Sequence, residues 1–345
     1  MYKTNIITSY RGIIDSTLRE GQQFRYANFS LSQQKKIVKM LSAIGVDRIE
    51  VGNPVAAEIG NTIKQLTKMP HRSKILAHVR NKISDIKAAK DAGVDGVNIL
   101  CSISHERLSK MNKTFDEYIA QLIEGVLYAR EQQLEVRVSV EHFFQADKQQ
   151  AIQVFTVAER LHANRIGIAD TLGVAMSWEV EESVRFLRHL FTTEIEVHFH
   201  NDLGQANSNA ISALKNGANW VDTTLLGIGE RSGITALSTF LASMYHFENT
   251  MSNRYKIDLL TSVENSVAKM INHDVPFNLL TNRENGFAHK AGIHLNALMN
   301  FGPASYELFS PNVVGNTRQL IYGTQISGKT NAQDIDQFMK VYGKA

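Results

Sequence analysis

The sequence predicts a (β/α)8 TIM barrel followed by a small, mainly helical C-terminal subdomain, and three observations carry that prediction. Short apolar runs of strand character recur eight times between residues 12 and 227. Most are followed by a stretch of helical periodicity, such as SLSQQKKIVKMLSAIG or SNAISALKNGA, each with Gly at or near its end, where helices often stop. Eight such units in roughly 240 residues match a closed barrel better than an open doubly wound sheet. The first turn, IIDSTLREG, also lacks the glycine-rich fingerprint that an open dinucleotide-binding sheet needs.

In chain order the strand candidates are GIIDST (12–17), RIEVG (48–52), KILAHV (74–79), GVNILC (96–101), EVRVSVEH (135–142), RIGIAD (165–170), EIEVHFH (194–200) and WVDTTLLG (220–227). Barrel enzymes place their chemistry at the C-terminal ends of strands, so polar residues there are site candidates. The first run ends in Asp15 and Thr17, with Arg19 and Glu20 just beyond, and the third carries His78 and Arg80. The fifth has Arg137, Ser139 and Glu141 at period two, and the sixth ends in Asp170 and Thr171. All are expected on one rim with His198 and His200. After residue 250 the pattern changes to helices and irregular stretches such as RENGFAHKAGIHLNALMN and ASYELFSPNVVG. The expected division is therefore a catalytic barrel at 1–250 and a subdomain at 251–345, the latter near the size at which a core is only marginally stable alone. It is expected to pack on the barrel or on a partner subunit.

Composition narrows the functional classes. With 345 residues and 43% hydrophobic content the chain is ordinary for a globular protein. A formal charge of +3, with acids and bases intermixed, offers no basic patch for nucleic acid. Cys101 is the single cysteine, which rules out disulfides within the chain and a multi-cysteine zinc site, and fits a reducing cytoplasm. No window approaches the roughly 18 apolar residues of a membrane span, and MYKTNIITSYRG lacks an apolar signal core. A cytoplasmic location with no membrane partner is the expectation.

The stretch EIEVHFHND puts Glu196, His198, His200 and Asp202 on one face of a strand, by the period-two alternation of side chains. Two histidines from one strand end with a carboxylate from another make a divalent-metal site with open positions, able to polarise a carbonyl. The alternative is a pair of histidines hydrogen-bonded in a polar barrel mouth. Arg137 and Ser139 face inward on the fifth strand, and an arginine inside a barrel needs an anionic partner, for which a substrate carboxylate is suited. A competing motif, GTQISGKT at 323–330, matches the P-loop pattern in full. Only 15 residues follow it, too few for the further strands and acidic ligand of a nucleotide domain. No strand candidate ends in lysine, which argues against Schiff-base aldolase chemistry and for metal-assisted carbonyl chemistry.

Together DSTLREGQQF, VHFHNDLGQANSNA, LLGIGERSGITAL and AHKAGIH resemble the acyl-CoA Claisen-condensing branch of the DRE-TIM metallolyases, the branch of homocitrate, 2-isopropylmalate and citramalate synthases. The resemblance runs from about residue 12 to 330, and VRVSVEH, with Arg137, is similar to the homocitrate synthases in particular. It implies a condensation of acetyl-CoA with 2-oxoglutarate to homocitrate, dependent on a divalent metal (Mn, Mg, Zn or Co) and belonging to amino-acid biosynthesis, lysine synthesis first. It implies Glu20, His198 and His200 as metal ligands, and Arg19, Gln23, His78, Arg137, Ser139 and Thr171 as contacts to the 2-oxoacid. Glu141 matches an active-site carboxylate, and His294 with Tyr306 a catalytic pair lent to a neighbouring subunit, so that a homodimer with exchanged C-terminal subdomains is implied. SGKT resembles the family's C-terminal SG-[RK] segment. Sister synthases using another 2-oxoacid, and a metal-dependent carbon–carbon lyase, are the alternatives. Departures from the family pattern are Gln22, where glutamate is usual, and HFFQAD, which puts His142 where an acid is common. Asn98 stands where lysine-inhibited members have an acid, although Glu196 matches a second one, so the resemblance does not carry lysine feedback over.

Overall fold

The computed structural model describes residues 9–321 and 332–342. The P-loop-like stretch at 323–330 lies outside the described residues. The chain divides into two compact units, Met1–Phe240 and Leu241–Ala345.

Among the described residues of the first unit, eight parallel strands close a barrel in chain order, with β8 pairing back on β1. They are β1 (Gly12–Asp15), β2 (Arg48–Val51), β3 (Lys74–Arg80), β4 (Gly96–Cys101), β5 (Glu135–Val140), β6 (Arg165–Asp170), β7 (Glu194–Phe199) and β8 (Trp220–Thr223). The crossover helices are α1 (Leu31–Ile44), α2 (Ala57–Thr67), α3 (Ile83–Asp91), α4 (His105–Lys110), α5 (Phe115–Glu131), α6 (Lys148–Arg160), α7 (Ser177–Leu190) and α8 (Ala206–Lys215). Their starts are written in the sequence: Ser30 and Thr114 form capping boxes with Gln33 and Glu117, satisfying backbone donors that α1 and α5 would otherwise leave unpaired. The barrel is thus the predicted fold. β4 and β6 match their sequence runs to the residue, β3 extends one residue further, and β1, β2, β5, β7 and β8 stop earlier than the runs do. At β1 the reason is local, because Asp15 Oδ1 accepts the Thr17 N–H at 2.9 Å and turns the chain.

Barrel interiors are usually filled by branched apolar side chains. Here part of the interior is ionic. Glu135 of β5 accepts hydrogen bonds from Arg48 at 2.6 and 3.0 Å, from Lys74 at 3.0 Å, and from Arg165. Arg165, 1% exposed, reaches on to Glu196 at 2.7 Å, while Arg48 lies over the Trp220 ring at 3.9 Å. Burial pushes the Glu135 carboxyl up, but Arg165 and Arg48 outweigh it and hold it at about 2. In the unfolded chain the same group titrates near 4.3, so its contribution is fully present above that pH and is lost as pH falls towards 2. The expected size is on the order of 3 kcal/mol. Acid unfolding of Glu135→Gln should therefore show a shallower loss of stability between about pH 4.3 and 2 than the wild type; identical slopes from urea melts across that window would contradict this.

The second unit takes in most of α9 (Leu237–Phe247), then α10 (Met251–Arg254), α11 (Leu260–Met270), α12 (Gly292–Phe301) and α13 (Ala332–Tyr342). A parallel pair of two-residue strands, β9 (Ala288–His289) and β10 (Gln319–Leu320), joins them. Buried Arg318 forks onto Glu307 and also donates to the Tyr342 carbonyl, tying the end of α13 to the segment after α12.

Candidate active site

The C-terminal ends of the barrel strands enclose a cavity of about 190 Å3. It is smaller than the roughly 300 Å3 at which drug-sized sites begin, and most of the residues lining it are polar or charged, Leu100 and Ala169 excepted. Ten of the residues singled out in the sequence line it: Arg19, Glu20, Gln23, His78, Arg137, Ser139, Glu141, Thr171, His198 and His200.

Glu20, His198 and His200 each offer a ligand atom, and these atoms lie within 4.8 Å of one another. His198 Nδ1 lies 2.6 Å from Asp222 Oδ2, a carboxylate that can only accept, so Nδ1 carries a proton and Nε2 is the ring nitrogen turned to the triad. That Nε2 faces His200 Nε2 at 3.3 Å. Burial, reinforced by His198, lowers the His200 imidazole to about 4, so it is neutral at neutral pH. Burial opposes ionisation of Glu20, but Arg19 and His198 overcome it and lower its carboxyl. Two imidazole nitrogens and a carboxylate converging in a buried pocket are the donor set of a divalent cation. The Glu230 N–H donates to Glu20 Oε1 at 2.8 Å from the loop after β8. That loop approaches closely because Gly229 has no side chain; a Cβ there would sit 2.8 Å from the same oxygen.

Arg19 and Glu20 both face the cavity although they are adjacent, because β1 has already ended. Arg19 donates to Glu50 at 2.7 Å and to Glu20 at 2.5 Å, and its Nη2 lies 3.6 Å from Asp222. Burial alone would lower its basicity, but Glu50, Glu20 and Asp222 raise it instead. Asn98 Nδ2 is 3.0 Å from both Glu50 Oε2 and His78 Nδ1, and its Oδ1 accepts from Ser139 at 2.9 Å. Burial and the nearby Arg19 lower the His78 imidazole, which is therefore neutral. Arg137, 2% exposed, already has anionic neighbours within the protein. Its Nη1 lies 2.9 Å from Glu196 and 3.7 Å from Glu50. The Glu196 pair is close but poorly directed, since Glu196 Oε1 and Arg137 Nε both lack a hydrogen-bond partner.

Ser102 donates to Glu141, and Thr171 Oγ1 accepts the His142 N–H at 2.8 Å. His142, one departure from the family pattern, thus orients Thr171 through its backbone; the other, Gln22, spends its amide on the Leu18 carbonyl at 2.7 Å. Four candidates do not converge. Asp202 lies beyond the end of β7, where period-two alternation no longer applies, and forks with Arg231 at 2.8 Å. Arg80 pairs outward with Asp85 at 2.7 Å. Asp170 accepts the Ala175 N–H at 2.9 Å, and Asp15 turns back on its own chain. In the second unit His294 and Tyr306 stack face to face, ring centroids 3.8 Å apart.

Sequence reasoning missed Asp222 and Glu50, the carboxylates that hold His198 and Arg19. The signal was present: a lone acid inside WVDT or RIEV is a charge in a strand buried on both faces, which requires a partner.

Comparison with known proteins bears on this site. Residues 11–267 match the HMGL-like family, and residues 282–339 match the homocitrate synthase post-HMGL domain-like family. The mitochondrial homocitrate synthase of Schizosaccharomyces pombe is 37% identical over 94% of this chain and 79% of its own length. The cytosolic isozyme of Saccharomyces cerevisiae is 35% identical over 92% of this chain and 74% of its own. An HMG-CoA lyase of Acinetobacter baumannii, solved with coenzyme A and 3-methylmalate, has the same fold, with a TM-score of 0.68 at 21% identity over 78% of this chain and 94% of its own.

Proposed function

Because the chain belongs to the HMGL-like family and to its homocitrate synthase branch, we infer that it condenses acetyl-CoA with 2-oxoglutarate to give homocitrate and CoA. One observation supports this substrate above the others. A second buried cation, Arg137, lines the same small cavity as Arg19 and the metal triad, which suits an oxoacid with a further carboxylate distal to its keto group.

Glu20, His198 and His200 would hold a divalent ion, which would supply Lewis-acid polarisation of the keto group. Around it, Arg19 stabilises the negative charge that develops on the keto oxygen, and Arg137 with Ser139 takes the distal carboxylate. His78, Gln23 and Thr171 complete the oxoacid contacts. His294, assisted by Tyr306 and Glu141, takes the methyl proton from acetyl-CoA; the carbon nucleophile attacks the ketone, and hydrolysis of the thioester then releases CoA. We assign His294 and Tyr306 to the C-terminal unit of a second copy in a homodimer, and place the enzyme in the cytoplasm.

The test is thiol release from acetyl-CoA with 2-oxoglutarate, 2-oxoisovalerate, pyruvate, oxaloacetate and glyoxylate, with and without EDTA. EDTA-sensitive release with 2-oxoglutarate is expected, and Arg137→Ala should remove it at least tenfold more than release with any monocarboxylic acid, roughly the cost of one charge-assisted fork. Preference for another acid would overturn the substrate; cleavage of a hydroxyacyl-CoA without condensation would favour a lyase. The subunit assignment has its own test. Mixed after partial denaturation, inactive His198→Ala and His294→Ala chains should regain activity as heterodimers, whereas no recovery would place all the catalytic groups in one chain.

A further inference from the structure

Gly167 lies in the middle of β6, opposite Ser139 of β5 and Glu196 of β7. Its φ is not among the positive values, so no backbone conformation requires glycine there. Glycine inside a strand is less stable than alanine, and a reason for it other than backbone conformation is close approach of a neighbouring group. The neighbour is the Arg137 side chain, which crosses β6 on its way from β5 to Glu196. A Cβ on residue 167 would fall 2.4 Å from Arg137 Nε, 2.7 Å from Nη2 and 2.7 Å from Ser139 Cβ.

We propose that Gly167 is a specificity-positioning residue: the space left by its missing side chain is the slot in which the Arg137 guanidinium lies, and the slot sets where that cation meets the distal carboxylate of the oxoacid. This rests on the substrate proposed above. The guanidinium is held from one side by Glu196, at 2.9 Å, and more loosely by Glu50, at 3.7 Å. Filling the slot drives it off β6, away from Glu196. The keto end, gripped by Arg19 and the triad on other strands, is untouched.

Gly167→Ala is therefore expected to raise KM for 2-oxoglutarate at least about tenfold while KM for acetyl-CoA changes less than about twofold. In an Arg137→Lys background, where no planar fork fills the slot, the same substitution should change KM for 2-oxoglutarate by less than about threefold. Equal effects in both backgrounds would overturn the proposal, as would a parallel rise in both KM values. If Gly167→Ala does not fold, Gly167→Ala with Arg137→Ala decides: a restored cooperative melt supports the slot, and continued failure locates the clash at Ser139 and overturns it. Should the wild type release no thiol with 2-oxoglutarate, the substrate reading fails, and the slot is then judged by melting temperature alone. Non-additive losses for Gly167→Ala and Arg137→Lys uphold it, and additive losses end it.

Discussion

Replacing His198 by alanine is expected to lower turnover by at least about a thousandfold, because Lewis-acid assistance contributes several kcal/mol and each 1.4 kcal/mol is a factor of ten. The loss should appear first as metal affinity. Binding of Mn2+ by calorimetry should weaken by more than about a hundredfold, beyond what removal of an outer-sphere partner such as Asp222 costs. The fold should survive, since Asp222 keeps Ser16 at 2.6 Å and Arg19 at 3.6 Å. His200 is neutral down to about pH 4, so protons do not compete for it at neutral pH. A His198→Ala enzyme within tenfold of wild-type turnover would refute the triad as the metal site.

Replacing Arg19 by alanine should lower kcat by about 100- to 1000-fold, the range observed when one preorganised donor to a developing oxyanion is removed. A second effect accompanies it. Glu50, Glu20 and Asp222 all face this guanidinium, and removing it leaves three buried carboxylates short of a cation, at a cost of about 3–5 kcal/mol in folding stability. Arg19→Lys separates the two: a point charge restores much of the stability but not the fork that spans Glu50 and Glu20, so the melting temperature should recover more than kcat. If kcat and melting temperature recovered together, Arg19 would be a structural counter-ion rather than a group acting on the substrate.

The eight strands were legible because each is a short apolar run closed by a turn signal, and the repeat of such runs with helices between them leaves few topologies open. Inward-facing polar residues were legible for the same reason, as period two puts Arg137 and Ser139 on one face of β5. The prediction failed where a strand stops. EIEVHFHND continues its alternation on paper to Asp202, but β7 ends at Phe199 and the carboxylate turns to Arg231.

By itself, then, the sequence determined the barrel, the inward faces of its strands and the residue types of a two-histidine, one-carboxylate site. Only the tertiary structure decided the partners. The resemblance already implied Glu20 with His198 and His200; that Glu50 holds Arg19, that Asp222 holds the Nδ1 of His198, and that Gly167 leaves room for Arg137 are pairings made by barrel closure. Alternation along one strand says which face a side chain occupies; barrel closure and strand stagger decide which side chain of another strand stands opposite it.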